Sequence, residues 1–158
     1  VVKGASLGEG LGNKFLARIR EVDAIIEVVR DFKNDDIIHV AGKIDPADDI
    51  KTINLELILA DLDTVSKRLS TLEKQSKGAA AKDLAKNVEI VKELKALLEN
   101  EKFANEITVE KEDEHFVKEL NLLTSKPIMY VYNVDENEAI KDDGRLKICA
   151  KLEADLAS

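Results

Sequence analysis

Two polar segments of this 158-residue chain carry residue types that could do chemistry. Asn133-Val134-Asp135-Glu136 follows the apolar run Pro127-Ile128-Met129-Tyr130-Val131-Tyr132. An amide beside carboxylates offers both donors and acceptors, which is what reading a nucleobase edge requires. An ordinary polar turn at a strand end has the same composition, and the residues alone leave the two readings open. The other segment is the glycine-rich start, with Gly4, Gly8, Gly10 and Gly12. Successive backbone amides there could nest an anion such as phosphate. However, Lys3-Gly4 is followed by Ala5, and no G-x-x-x-x-G-K-[ST] sequence occurs in the chain. Taken alone, a mobile surface loop is the preferred reading.

The remaining candidates are weaker. Cys149, in Ile148-Cys149-Ala150-Lys151, has no histidine near it in sequence and reads as a small buried apolar residue. His39 and His115 are far apart and match no metal-ligand spacing. Glu110, Glu112, Asp113 and Glu114 could hold a cation, but a solvated helix start accounts for them more simply.

Composition narrows the classes. Lys plus Arg total 24 against 32 Asp plus Glu, a net charge of −8, which argues against a surface devoted to nucleic acid; no direct DNA binding is expected. Aromatics are 4% with no Trp, which disfavours a base-stacking platform. One cysteine excludes an intramolecular disulfide and a cysteine-cluster metal site. No apolar run approaches the roughly 20 residues needed to span a bilayer. The opening VVKGASLGEG lacks a signal-peptide layout, so a reducing cytoplasm is the expected compartment and no membrane partner is expected.

Positioning these residues requires elements of two kinds. Phe15, Leu16, Ile19 and Val22 predict a short amphipathic helix, and Ala24-Ile25-Ile26-Glu27-Val28-Val29 a strand covered on both faces. Pro127–Tyr132 reads as a second buried strand, and Cys149 ends a third. Between them, Asp45-Pro46 should start a helix, with Asp as cap and Pro in the first turn. Leu55, Ile58, Leu62, Val65, Leu69 and Leu72 then form a heptad seam, and Leu84, Val88, Val91, Leu94 and Leu98 form a second one beyond Gly78. Two seams joined by a short break predict an antiparallel helical hairpin. Thr108 is a candidate cap for a later helix carrying Phe116, Val117 and Leu120. The predicted class is α/β: part of a nucleotide-binding sheet at 1–44 and 113–158, with a hairpin inserted at 45–112.

Longer blocks carry a family resemblance. Val2-Lys3-Gly4-Ala5-Ser6-Leu7-Gly8-Glu9-Gly10-Leu11-Gly12-Asn13-Lys14-Phe15-Leu16, Val40-Ala41-Gly42-Lys43-Ile44-Asp45-Pro46, and Leu120–Pro127 with Asn133–Glu136 closely resemble the YchF family, the Obg-like ATPases. The resemblance implies a P-loop NTPase G-domain with an inserted coiled-coil hairpin, using Mg²⁺, hydrolysing ATP and possibly GTP, and associating with ribosomes. It implies that the glycine-rich segment (Gly4, Gly8, Gly10, Gly12) is switch II, and that Val1 holds the hydrophobic position replacing the catalytic glutamine of Ras-like enzymes. It further implies that Asn133, Val134 and Glu136 stand where GTPases carry Asn-Lys-x-Asp, and that Cys149 and Ala150 belong to the last base-contacting loop. Because the guanine-reading Asp is replaced by Glu136, preference for guanine should be weak.

The P-loop, switch I and the magnesium ligands would precede Val1, and a TGS domain would follow Ser158. The stretch from Glu136 to Cys149 is also shorter than the family pattern. The chain therefore reads as an internal fragment, with no catalytic residue of its own, that does not hydrolyse ATP by itself. The alternative is a non-catalytic coiled-coil module docking on a ribosome or protein partner.

Overall fold

A computed structural model describes residues 11–33, 44–76 and 81–157. The elements run α1 (Leu11–Arg20), β1 (Ile25–Asp31), α2 (Pro46–Gln75), α3 (Ala81–Glu99), α4 (Glu114–Glu119), β2 (Ile128–Val134), α5 (Glu136–Ala139), β3 (Lys147–Ile148) and α6 (Ala150–Leu156). Short 3-10 turns occupy Ala104–Glu106 and Leu123–Ser125. The three strands form one parallel sheet in the order β1-β2-β3. The α/β class follows directly from the two β-branched runs, which pair from Ile25 with Ile128 through Asp31 with Val134. The chain divides into two compact units, residues 1–24 with 53–127 and residues 25–52 with 128–158.

The helical seams pack as their spacing dictates. Asp45 caps α2 by accepting the Asp48 amide at 3.2 Å, with Pro46 in the first turn. Ile58, Val65 and Leu72 of α2 share a core with Val91, Leu94 and Leu98 of α3. Both helices line that core with a short connection between them, so they run antiparallel. Each fully buried aliphatic side chain contributes about 1.5–3 kcal/mol. The core also takes in Val117 of α4 and Leu122, with Phe103, Ile107 and Val109 against its edge.

Several expectations need correction. Leu55 continues the seam by spacing, yet is 37% exposed. Phe15 and Val22 are also exposed, and α1 ends before Val22; Leu16 is the side chain of that stretch which is buried. Thr108 caps nothing, because α4 begins only at Glu114. The acidic run instead gathers on Lys86, whose Nζ lies 2.7 Å from Glu110, 2.7 Å from Glu112 and 2.8 Å from Asp113. Hydrogen bonds to Asp113, Glu110 and Glu112 hold the ammonium well above its ordinary pKa. A lysine thus fills the one cluster of carboxylates, among the described residues, with metal-like spacing.

The helical unit also buries a charge. Asp61 sits on α2 with no exposed surface. Its Oδ1 accepts from Arg20 Nη1 at 3.0 Å and from the Leu123 amide at 2.9 Å. Its Oδ2 accepts from the Thr124 amide and the Thr124 hydroxyl, each at 2.8 Å. Arg20, the last residue of α1, also donates to the Asn121 and Ala60 carbonyls and to Thr64 Oγ1. Thr124 Oγ1 accepts the Ala104 amide at 3.1 Å, so the network reaches the turn after α3.

On β1, half-buried Glu27 has its pKa pushed up to about 7, chiefly by burial and then by the nearby Asp49 carboxylate. Its Oε2 is buried without a hydrogen-bond partner. Between pH 4.5 and about 7 the folded state holds a proton that the unfolded state has released, so stability falls as pH rises through that window.

Two outcomes follow for urea denaturation. Asp61→Ala takes the counter-ion from the Arg20 guanidinium and strands the Leu123 and Thr124 donors, and should cost about 3–5 kcal/mol. Arg20→Met leaves the carboxylate its amide partners and should cost clearly less; equal costs would mean that the ion pair, not the amides, carries the joint. For Glu27→Gln the expected gain over the parent is about 1–2 kcal/mol at pH 8, reduced from the full linkage because water reaches part of the side chain. That gain should vanish near pH 4.5; the same difference at both pH values would contradict the raised pKa.

Candidate nucleobase site

In an open parallel sheet the strand ends at the carboxyl side leave a crevice, because the chain turns away from each strand in a different direction. Here β2 delivers Asn133 and Val134 as its last two residues, and Asp135 is in extended conformation just ahead of α5. Glu136 opens α5. From β3 the chain passes through Cys149, also extended, into α6 at Ala150. The two strand ends are tied directly, as the Ala150 amide donates to Asn133 Oδ1 at 3.0 Å.

Around that hydrogen bond is a cavity of about 710 Å³. It brings together all five residues singled out at the strand ends: Asn133, Val134, Glu136, Cys149 and Ala150. Val134 is 2% exposed and Cys149 6%, so these two form wall rather than rim. The Cys149 thiol is free, as a small apolar residue would be placed. With its oxygen engaged by Ala150, Asn133 keeps its amide N–H₂ group as the donor side. The rim carries both signs of charge, with Glu136 and Lys151 3.6 Å apart.

Phe32 and Lys33 also line the cavity, and sequence reasoning missed them. The strand prediction stopped at Val29, whereas β1 runs on to Asp31 and so carries Phe32 to the carboxyl end of the sheet. The available signal was an aromatic two residues beyond a charged strand position. The Arg30 guanidinium lies 4.8 Å from the Phe32 ring centroid, and Arg30 Nε donates to the Phe32 carbonyl at 3.3 Å. An aromatic side chain so restrained keeps a flat face with little entropy left to lose.

A second network holds the β3 side in place. Arg145 stacks 4.8 Å over Tyr132 of β2 and pairs with Asp31 and Asp143, each at 2.8 Å. Lys147 Nζ, nearly buried, pairs with Asp143 at 2.8 Å and donates to the Lys141 carbonyl at 2.9 Å. Arg145 and Lys147 together hold the Asp143 carboxyl far below the usual carboxylate range. Gly144, at φ +78°, makes the turn that brings both cations to Asp143. These bonds fix the short segment between α5 and β3, and with it the start of the Cys149 loop.

Among the described residues, Gly12 and His115 do not line this cavity. Val1, Gly4, Gly8 and Gly10 lie outside the described residues, as does His39, while Gly12 is within α1. His115 is exposed on α4, 3.3 Å from Glu119.

No family model matches the chain. Among curated proteins, the ribosome-binding ATPase YchF of Bacillus subtilis is 48% identical over 174 aligned positions, covering 99% of this chain and 47% of that protein. The protein of the same name from Escherichia coli O157:H7 is 43% identical over 171 positions, again covering 99% of this chain and 47% of the relative. The solved structure of the Schizosaccharomyces pombe YchF GTPase matches with a TM-score of 0.74 at 33% identity, covering 97% of this chain and 41% of that one. The chain therefore spans about half the length of the curated relatives it matches. Identity sustained along almost every residue of this chain, together with the shared fold, makes these 158 residues similar to a portion, about half, of the YchF proteins.

Proposed function

We propose that this portion supplies the base-recognition end and the helical hairpin of a ribosome-associated nucleotide hydrolase that takes ATP, and GTP less readily. The observation that carries the reading is the Asn133–Ala150 hydrogen bond, which joins two strand ends around a cavity at the carboxyl edge of a parallel sheet. In this reading the Asn133 amide N–H₂ donates to a purine ring nitrogen and Phe32 faces the ring plane. Cys149 and Val134 close the wall behind it.

Glu136 takes the place of the aspartate that receives guanine's N1–H and amino group in GTPases. Adenine has no such paired donors, so the change costs it nothing. Residues 1–44 and 113–158 are assigned to the nucleotide-binding part and 45–112 to the inserted hairpin, whose core also takes in Val117 and Leu122. The glycine-rich segment with Gly4, Gly8, Gly10 and Gly12 is assigned to switch II and Val1 to the hydrophobic position beside it.

Hydrolysis in this class is in-line attack of water on the γ-phosphate, and it depends on a phosphate cradle and Mg²⁺ to stabilise charge. The cavity residues do not fit that role. They offer a base-reading amide and a rim of mixed charge, and the sequence has no G-x-x-x-x-G-K-[ST]. Magnesium would accompany the nucleotide on ligands other than these. None of the described helices is long and apolar enough to cross a membrane, and a cytoplasmic site of action accords with a ribosomal partner.

The full-length parent protein tests the reading. Asn133→Ala should weaken ATP binding about tenfold or more, as expected for a lost hydrogen bond that also unties Ala150. An unchanged Kd for ATP would remove the cavity from the account. The isolated 158-residue chain should release no phosphate from ATP above the buffer rate; multiple turnover by that chain would show a phosphate site that the reading does not contain.

A further inference from the structure

The rim of the cavity carries a charge pair that base reading as described does not use. Glu136 opens α5 after β2, and Lys151 is the second residue of α6 after β3. Lys151 Nζ lies 3.6 Å from Glu136 Oε1, and both residues line the cavity. The two side chains come from the two loops that Asn133 and Ala150 tie together, so the pair spans the same opening from its outer side.

We propose that Lys151 is a specificity-determining residue: by engaging one oxygen of Glu136 it keeps that carboxylate from receiving guanine's two parallel donors. The inference rests on the reading of the cavity as a purine-base site. A carboxylate that grips guanine needs both oxygens, one for N1–H and one for the exocyclic amino group. With Oε1 held toward an ammonium, guanine must either displace Lys151 or leave a donor without a partner as it enters. Adenine presents no such pair and meets neither cost. The replacement of aspartate by glutamate then does more than lengthen the side chain, because the extra methylene lets the carboxylate reach across the rim to Lys151.

Both partners are solvent-exposed, with side-chain exposures of 79% for Lys151 and 53% for Glu136, so the lock is weak and reversible. The expected effect is correspondingly modest. In the full-length protein, Lys151→Met keeps the alkyl stem and removes the charge. It should raise GTP affinity relative to ATP by about threefold to fivefold, the scale of an exposed ion pair. The same substitution made in a Glu136→Gln background should leave the ratio where Glu136→Gln alone puts it.

Kd values for ATP and GTP, measured by titration on the four proteins, read this out. A parent that binds both nucleotides but whose ratio is unmoved by Lys151→Met would overturn the role of Lys151 and leave the base site standing. Equal weakening of both nucleotides would likewise overturn it, as the mark of a merely structural lysine. A parent that binds neither nucleotide would overturn the base-site reading together with this one.

Discussion

A carboxylate with no exposed surface dominates the helical unit. Asp61 lies in the middle of a long helix, where removal from water would cost several kcal/mol unless each oxygen is satisfied. Both are, and the donors come from two separate stretches of chain: the end of α1 and the 3-10 turn at Leu123–Ser125. The result is geometric more than energetic. Hydrophobic seams can slide by a turn at small cost, whereas a carboxylate with four donors fits one register only. Asn121, held at φ +48° while its carbonyl accepts from Arg20, shows how closely the loop is shaped to that anion.

The unit that carries the sheet is organised by a different rule. Its strands are parallel, so their carboxyl ends lie on one edge, and the residues at that edge are the ones free to act. β3 contributes only two residues, too few to hold its loop by ladder bonds alone. The Arg145–Asp31–Asp143–Lys147 cluster supplies the missing restraint, with Tyr132 stacked beneath Arg145. Cys149 and Ala150 are therefore presented to Asn133 by a charged staple, and the cavity follows from that placement.

Much of this was legible from residue types. Ile25–Val29 and Ile128–Tyr132 announce strands, the leucine spacing announces the hairpin, and Asp45-Pro46 marks the helix start to the residue. The expectation that both strand faces are covered fails, because Ile26, Val28 and Met129 stand exposed on one face. The Asn133–Glu136 segment could be picked out because polar residues abutting an apolar strand mark its end, whereas the family resemblance alone singles out Cys149 and Ala150 as base-contacting. What could not be read was long-range pairing. Asp61 next to Leu62 looks like any solvent-facing helix charge, and nothing local reveals Arg20 or Thr124 as its partners. Lys86 is equally silent about Glu110, Glu112 and Asp113, whose run of acids by itself reads as a helix start. Phe32 was lost for a simpler reason: Arg30 and Asp31 look like a strand end, yet their side chains are stabilised by Phe32 and Arg145 and the strand continues through them.

The central claim is that a purine base occupies the space between the ends of β2 and β3. A crystal structure of the full-length protein with a bound adenine nucleotide measures this directly. The account predicts the adenine ring against Phe32, within hydrogen-bonding distance of the Asn133 amide nitrogen, with the Asn133–Ala150 bond intact and no contact from both Glu136 oxygens. A base lodged elsewhere, or an Asn133 turned away from Ala150 and from the ring, would contradict it.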